Sequence, residues 1–290
     1  MKEIVKENIK IECSDKVLIV GTLYFPTNKL KAARMLAPAT GIKRRFYNSF
    51  ATFLAGNGFA VITFDNRGIG DSLDGHVKNF KASIQDWGEL DMTAVFECLK
   101  KKFPNCEYHL VGHSAGGQLI GLMPNTNELS SVLNFASSSG RIKNMSFPFS
   151  LTVSFFMQIF IPVNNFLFGY TNTQWMGMGE PLPKNAASQW RKWCSGKGYV
   201  QTDFGKAIKT HYYDSVDMPS LWLNATDDDI ANDKNVADML QVFPKLNAKT
   251  KTLNPKEYDL KEIGHMKFFS KKNKVLWKLV LDWLEGGYKG

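Results

Sequence analysis

Ser114 is the residue best placed for covalent chemistry. It sits at the centre of Gly112-His113-Ser114-Ala115-Gly116, directly after the run Glu107-Tyr108-His109-Leu110-Val111. A G-x-S-x-G pattern in that position predicts a strand, a sharp turn and then a helix, with the serine at the apex. Such an apex is strained, so the residues two places either side must be small. Gly112 and Gly116 satisfy this, and Gly117 adds room. A serine hydroxyl is a weak nucleophile until an adjacent base takes its proton, and the base works best when a carboxylate orients it. Of five histidines (His76, His109, His113, His211 and His265), only His211 and His265 follow Ser114. His265 lies in Ile263-Gly264-His265-Met266, a loop ahead of a C-terminal helix. Asp227-Asp228-Asp229 follows the strand-like run Ser220 to Ala225. An aspartate cluster there also has a plainer reading, a solvated loop ending in the N-cap of a helix before Val236.

The elements that must position these groups alternate. Strands are expected at Ile9 to Glu12, Val17 to Phe25 and Ala33 to Ala37, then a helix from Asn48 to Gly56 with Phe50, Phe53 and Leu54 on one face. Gly58 to Phe64 reads as a buried strand, Asp65 to Ser72 as a glycine-rich loop, and Ile84 to Lys102 as a helix with Trp87, Leu90, Ala94 and Cys98 aligned. After the serine turn come a helix from Gln118 and a strand from Val132 to Ala136. The alternation then stops at Arg141 for roughly eighty residues, a length that marks a functional insertion. It resumes with the strand at Ser220, a helix near Lys234 to Val242, and a final strand from Thr250 to Leu253 extending to Leu260. The helix Val275 to Leu284 closes the chain, apolar at Leu276, Leu279, Val280 and Trp283. This is an α/β pattern, a largely parallel sheet with helices on both faces. The core is expected at 1–140 and 219–290, with a helical cap or lid at 141–218.

Composition narrows the class. With 290 residues and 44% hydrophobic content, the chain can bury a substantial core. Cys13, Cys98, Cys106 and Cys194 lack metal-ligand spacing and fit free thiols in a reducing compartment. The start, Met1 to Glu7, alternates charge without an apolar stretch, so a cytoplasmic location without a signal peptide is expected. The net charge of +9 comes from scattered lysines. No nucleic-acid motif accompanies them, so a solvated basic surface is expected and no nucleic-acid partner. Phe147 to Tyr170 is long and apolar enough to resemble a membrane span. Pro162, Asn164 and Asn165 interrupt it and Gln158 lies inside it, which favours a soluble cap over an integral span. No cofactor or metal is implied.

The chain resembles the α/β-hydrolase superfamily throughout. The resemblance rests on Asp65-x-Arg67-Gly68-x-Gly70-Asp71-Ser72 after the fourth strand, Ala37 to Gly41, Asp86-Trp87-Gly88 and Gly112 to Gly117. It continues through Gly177-Met178-Gly179-Glu180-x-Leu182-Pro183, Gln189-Trp190-x-x-Trp193-Cys194 and Gly264-His265-Met266. The chain is similar in particular to a bacterial branch of predicted α/β hydrolases described as serine aminopeptidase-like. The resemblance implies a triad in the chain order serine, acid, histidine. That order selects Ser114 and His265, with Asp228 as the acid on the spacing Ala225-x-x-Asp228, and Asp229 and then Asp227 as alternatives. It also implies an oxyanion hole built from the N–H of Ala115 and, by analogy with a His-Gly-x loop, that of Ile42. Thr40 stands where many relatives carry histidine.

The expected activity is that of a serine esterase or acyl hydrolase on a small, partly apolar ester. One alternative is an aminopeptidase-like amidase, which needs acidic groups in the cap to hold an ammonium. Up to Val200 the cap offers only Glu180, against six cations, though Asp203, Asp214 and Asp217 follow. A nonenzymatic ligand-binding protein is the other alternative. Asp65 and Arg67 are expected to brace loops, His113 to be packed and His76 to lie at the surface. Trp175, Met176, Met178, Trp190 and Trp193 are expected to pack the cap. The inner face of Phe147 to Tyr170, with Phe155, Phe156, Phe160 and Phe166, is expected to line the acyl side of the pocket.

Overall fold

Apolar runs with few charges become strands buried on both faces, and the chain supplies several. The computed structural model describes residues 3–286; Met1, Lys2 and the last four residues, which the expected core ranges and the N-terminal reading also cover, lie outside it. The strands are β1 (Ile4–Glu12), β2 (Leu18–Pro26), β3 (Ala32–Ala37), β4 (Phe59–Phe64), β5 (Tyr108–His113), β6 (Ser131–Phe135), β7 (Tyr170–Thr171), β8 (Leu182–Pro183), β9 (Ser220–Ala225) and β10 (Ala248–Leu253). Eight of them form one sheet in the order β1-β2-β4-β3-β5-β6-β9-β10, in which β2 pairs antiparallel with β1 and with β4 and every pairing from β4 to β10 is parallel. Every residue of β3, β4 and β9 is buried, as parallel strands covered by helices require. At the edge, β10 reads Ala-Lys-Thr-Lys-Thr-Leu and keeps Lys249 exposed, a charge that discourages pairing with another chain.

Two hydrophobic clusters flank the sheet. One gathers Trp87, Phe96, Leu119 and Trp222 together with Phe156, Met157, Ile161 and Trp193 from the long insertion. The other gathers Tyr47, Phe50, Phe135, Phe268 and Trp277. The insertion between β6 and β9 thus shares a core with the sheet. It holds the small pair β7–β8 and two longer helices, Phe149–Leu167 and Lys184–Ser195.

Three local readings need correction. The helix after the serine turn begins at Ala115, not Gln118, and ends at Gln118. Its glycines are weak helix formers, and incoming groups take the carbonyls that would continue it. Tyr213 Oη donates to Gln118 O at 2.6 Å, and the Tyr212 N–H donates to Gly121 O at 2.7 Å. The last strand stops at Leu253, because Asn254 caps a 3-10 turn at Pro255–Tyr258 and Pro255 has no N–H to donate. Finally, Pro162 and the two asparagines do not interrupt Phe149–Leu167, which runs as one 19-residue helix. A π-turn at Phe156–Phe160 lies just ahead of Pro162, placing the irregular bonding where the missing donor would otherwise break the ladder.

Candidate active site

β5 delivers Ser114 to the C-terminal edge of the sheet. Its backbone adopts φ 48° and ψ −112°, a conformation rarely taken by a residue with a side chain and one that costs about 1–3 kcal/mol unless its surroundings impose it. They do. The Ser114 N–H donates to Phe135 O at 2.9 Å, and its carbonyl accepts from Ser137 Oγ at 2.9 Å and from the Gly117 N–H at 3.1 Å. A Cβ on Gly116 would overlap the Ala37 carbonyl of β3, and one on Gly112 would strike Asn134 of β6. The pattern needs glycine there because two neighbouring strands press against the turn.

The three aspartates divide their work. Asp228 is buried, and its Oδ2 lies 2.8 Å from His265 Nδ1. Its Oδ1 accepts the N–H groups of Ile230 and Ala231, both at 2.9 Å. Burial opposes the charge on Asp228, but the imidazole and the two N–H donors outweigh it and hold the carboxyl below its usual range. Asp227 accepts the N–H groups of Ile263 and Gly264 at 2.9 and 3.0 Å, so it ties down the loop that carries His265. Asp229 accepts from Ser146 Oγ at the start of the insertion. None of the three caps the following helix; Asn232 does, accepting from the Asn235 N–H.

His113, between Gly112 and the serine, is fully buried and joins the two loops that face Ser114. The Ala39 N–H donates to Tyr47 Oη at 3.0 Å, and Tyr47 Oη lies 2.8 Å from His113 Nδ1. On the other side His113 Nε2 lies 2.9 Å from the His265 carbonyl. A neutral imidazole protonated at Nε2 satisfies all three contacts in one direction, with Tyr47 donating to Nδ1. Burial, then the neighbouring His265, push the His113 pKa down to about 3. Sequence reasoning placed His113 as a packed residue but had no signal for this bridge, since Tyr47 is 66 residues away.

Ser114, Thr40, Ile42 and His265 line one cavity of about 380 Å³. Its walls are mainly apolar, with Phe149, Val153, Phe156 and Met157 from the long helix and Met176, Met178 and Trp190 from the rest of the insertion. No lining residue carries a carboxylate. Met176, Met178 and Trp190, expected only to pack the cap, therefore face the cavity. Trp193 is buried, with Nε1 donating to Asp203 at 2.7 Å, while Trp175 is exposed. Phe155 and Phe166 point outward, and Phe160 stacks on Phe156.

Ala115 opens its helix, where N–H groups have no partner within the helix. The Ile42 N–H is engaged in a turn, donating to Ala39 O at 3.1 Å, with Gly41 at φ 70° completing that turn. Glu180 holds this loop from the insertion side; its N–H donates to Gly41 O at 2.8 Å and its carboxylate pairs with Lys43 at 2.9 Å.

The topology and the strained turn at the end of β5 decide the architecture. The fold is that of the α/β hydrolases. Residues 29–152 match a family model described as serine aminopeptidase, S33. No curated protein matches in sequence. Among solved structures, a soluble variant of monoglyceride lipase from Saccharomyces cerevisiae, in complex with a substrate analogue, aligns with a TM-score of 0.68 and 16% identity over 100% of this chain and 96% of that one. An esterase of Pyrococcus furiosus aligns at 0.62 and 14% over 98% and 91%. A thermophilic esterase from Thermogutta terrifontis, with malate bound, aligns at 0.57 and 14% over 98% and 100%.

Elsewhere in this fold several other polar residues serve structure. Asp65 pairs with Arg44, and Arg67 pairs with Asp91 and Asp15. His76 accepts the Lys78 N–H and lies against Tyr170. His211 stacks on Phe204, in a part of the insertion that does not line the cavity.

Proposed function

We propose that this α/β hydrolase cleaves carboxylic esters through an acyl-enzyme on Ser114. The observation that carries the reading is the convergence of a strained, glycine-flanked serine and an Asp228-oriented imidazole on one apolar cavity. His265 takes the Ser114 proton as Oγ attacks the ester carbonyl, and returns it to the departing alcohol. A water activated by the same imidazole then releases the acid and regenerates the hydroxyl. Asp228 fixes the tautomer, keeping Nε2 free for the proton, and offsets the imidazolium charge. The Ala115 N–H faces the developing oxyanion. Ile42 supplies the second donor by turning part of its bond away from the Ala39 carbonyl as charge builds on the substrate oxygen.

An amidase that holds a substrate ammonium would need a carboxylate in the cavity, and none lines it. Asp203 is committed to Lys192 and Trp193. The apolar walls suit an acyl chain. The test is fluorophosphonate labelling followed by a panel of acyl esters and aminoacyl amides. Labelling at Ser114 with turnover of esters over amides supports the reading. A folded Ser114→Ala protein with unchanged turnover overturns it, and a folded wild type that binds esters without turning them over returns the binding-protein alternative.

A further inference from the structure

The outer face of the helix Phe149–Leu167 is dressed for an environment other than water. Leu151, Phe155, Ile159, Val163 and Leu167 recur every fourth residue and are all exposed, with Phe147 before them and Phe166 beside them, the last 87% accessible. Phe168, Trp175 and Met176 extend the patch, so ten of the thirteen large exposed hydrophobics among the described residues fall between 147 and 176. An isolated exposed leucine is ordinary, but such a concentration on one face marks an interaction surface.

We infer that this face docks on an anionic lipid bilayer and that the enzyme draws an amphiphilic acyl ester from that bilayer. The second half of the inference rests on the esterase reading above; the first does not. Charge selects the partner. Of the cations between 141 and 202, Lys192 pairs with Asp203 and Arg141 with Asp238, which leaves Lys143, Lys184, Arg191 and Lys197 against Glu180, itself paired with Lys43. Three of these cations follow the stripe. Lys143 precedes it in the chain, Arg191 Nη2 donates to Gln158 Oε1 at 2.9 Å beside its middle, and Lys184 opens the helix that packs against its end. A second copy of the same face would bring like charges together, whereas an anionic headgroup layer opposes them. An apolar face plus basic residues supplies the two signals that stable peripheral attachment needs.

The helix has the length and composition to cross a membrane. Its inner face commits it to lie on the surface instead. Phe156, Met157 and Ile161 are buried in the core. Asn165 Oδ1 accepts from Thr171 Oγ1 at 2.9 Å, while its Nδ2 also donates to Ser188 at 3.1 Å. A spanning helix would forfeit these contacts. The docked geometry also connects the bilayer to the chemistry. Met176 is both exposed in the patch and part of the cavity wall, so an acyl chain leaving the bilayer at that rim enters the space that holds Ser114.

The experiment floats full-length Ser114→Ala protein with phosphatidylcholine vesicles and with vesicles containing about one third phosphatidylglycerol. Binding is expected to be at least about tenfold tighter on the anionic vesicles and to fall at least about tenfold in a Leu151→Asp, Ile159→Asp double variant and in Phe166→Ser. The same substitutions in the Ser114 background should leave turnover of a short water-soluble ester within about twofold, because these side chains do not line the cavity. This control separates loss of docking from loss of fold. Protein that stays free of both vesicles, or binding indifferent to the substitutions, overturns the inference. So does a concentration-dependent dimer that the double variant dissolves, which would give the stripe to a second copy. Since docking is read on a protein without the nucleophile, its failure is distinct from failure of the esterase reading.

Discussion

The corner around Ser114 and the helix that covers it are built on opposite principles. At the corner, directed hydrogen bonds tie down the loops that surround the serine. Asp227 holds the His265 loop, Asp228 holds the imidazole, and His113 ties that loop to Tyr47 and Ala39. Such a network keeps reacting groups in place without reorganisation, which is what charge development requires. The helix Phe149–Leu167 makes few directed bonds on its outer side and turns bare hydrocarbon to the surroundings. Its inner side gives the cavity apolar walls that set shape rather than chemistry. In the proposed reaction, the bonded corner is where protons would move and the apolar helix is where substrate would arrive.

The comparison can be broken at the corner first. Ser114→Ala should lower kcat on the order of 10⁶-fold with the fold intact; a smaller loss would place the nucleophile elsewhere. Asp228→Asn should cost on the order of 10⁴-fold, since an amide favours the wrong tautomer and cannot offset the imidazolium. Asp227→Asn and Asp229→Asn should each cost about tenfold or less, because they hold backbone or a cap serine. A dominant loss at Asp229 in steady-state kinetics would move the acid by one position.

The helix should respond differently on its two sides. Phe156→Ala removes a cavity wall and should lower kcat/KM for medium-chain esters roughly tenfold more than for acetyl esters. Phe155→Ala, one residue earlier and facing outward, should keep the wild-type chain-length profile for water-soluble esters. If both variants keep that profile, the helix is only a cover.

The smallest effect concerns pH. His113 has a folded pKa of about 3, against an unfolded value near 6.5. Its contribution to stability is present above that unfolded value and is lost as pH falls toward 3, because only the unfolded chain takes up the proton. Urea unfolding should show wild type losing about 1.4 kcal/mol more than His113→Gln over the whole span from pH 7.5 to 5.5, most of it below pH 6.5. Parallel pH dependences would mean that the imidazole is not held neutral.

Much of the frame is legible in the residues. Apolar runs mark β4 and β9, because a strand covered on both faces has little place for a charge; β3 breaks that rule with Arg34, which is buried against the Phe59 ring. The glycines around Ser114 signal the tight turn, and the final amphipathic helix falls at Val275–Leu284 as its spacing indicates. Local reasoning failed where distant groups intervene. Tyr212 and Tyr213 end the helix at Gln118, and a π-turn carries the long helix past Pro162.

By itself, then, the sequence determined the α/β alternation, the position of the serine turn, the histidine that follows it and the apolar character of the long insertion. All of these are properties of neighbouring residues and their periodicity. Only the tertiary structure decided how three consecutive aspartates divide, since each is defined by a partner 36 or more residues away. It also decided that the Ile42 N–H rests in a turn, and which phenylalanines face the cavity and which face outward. Composition makes a helix apolar; which side is covered depends on what the rest of the chain packs against it.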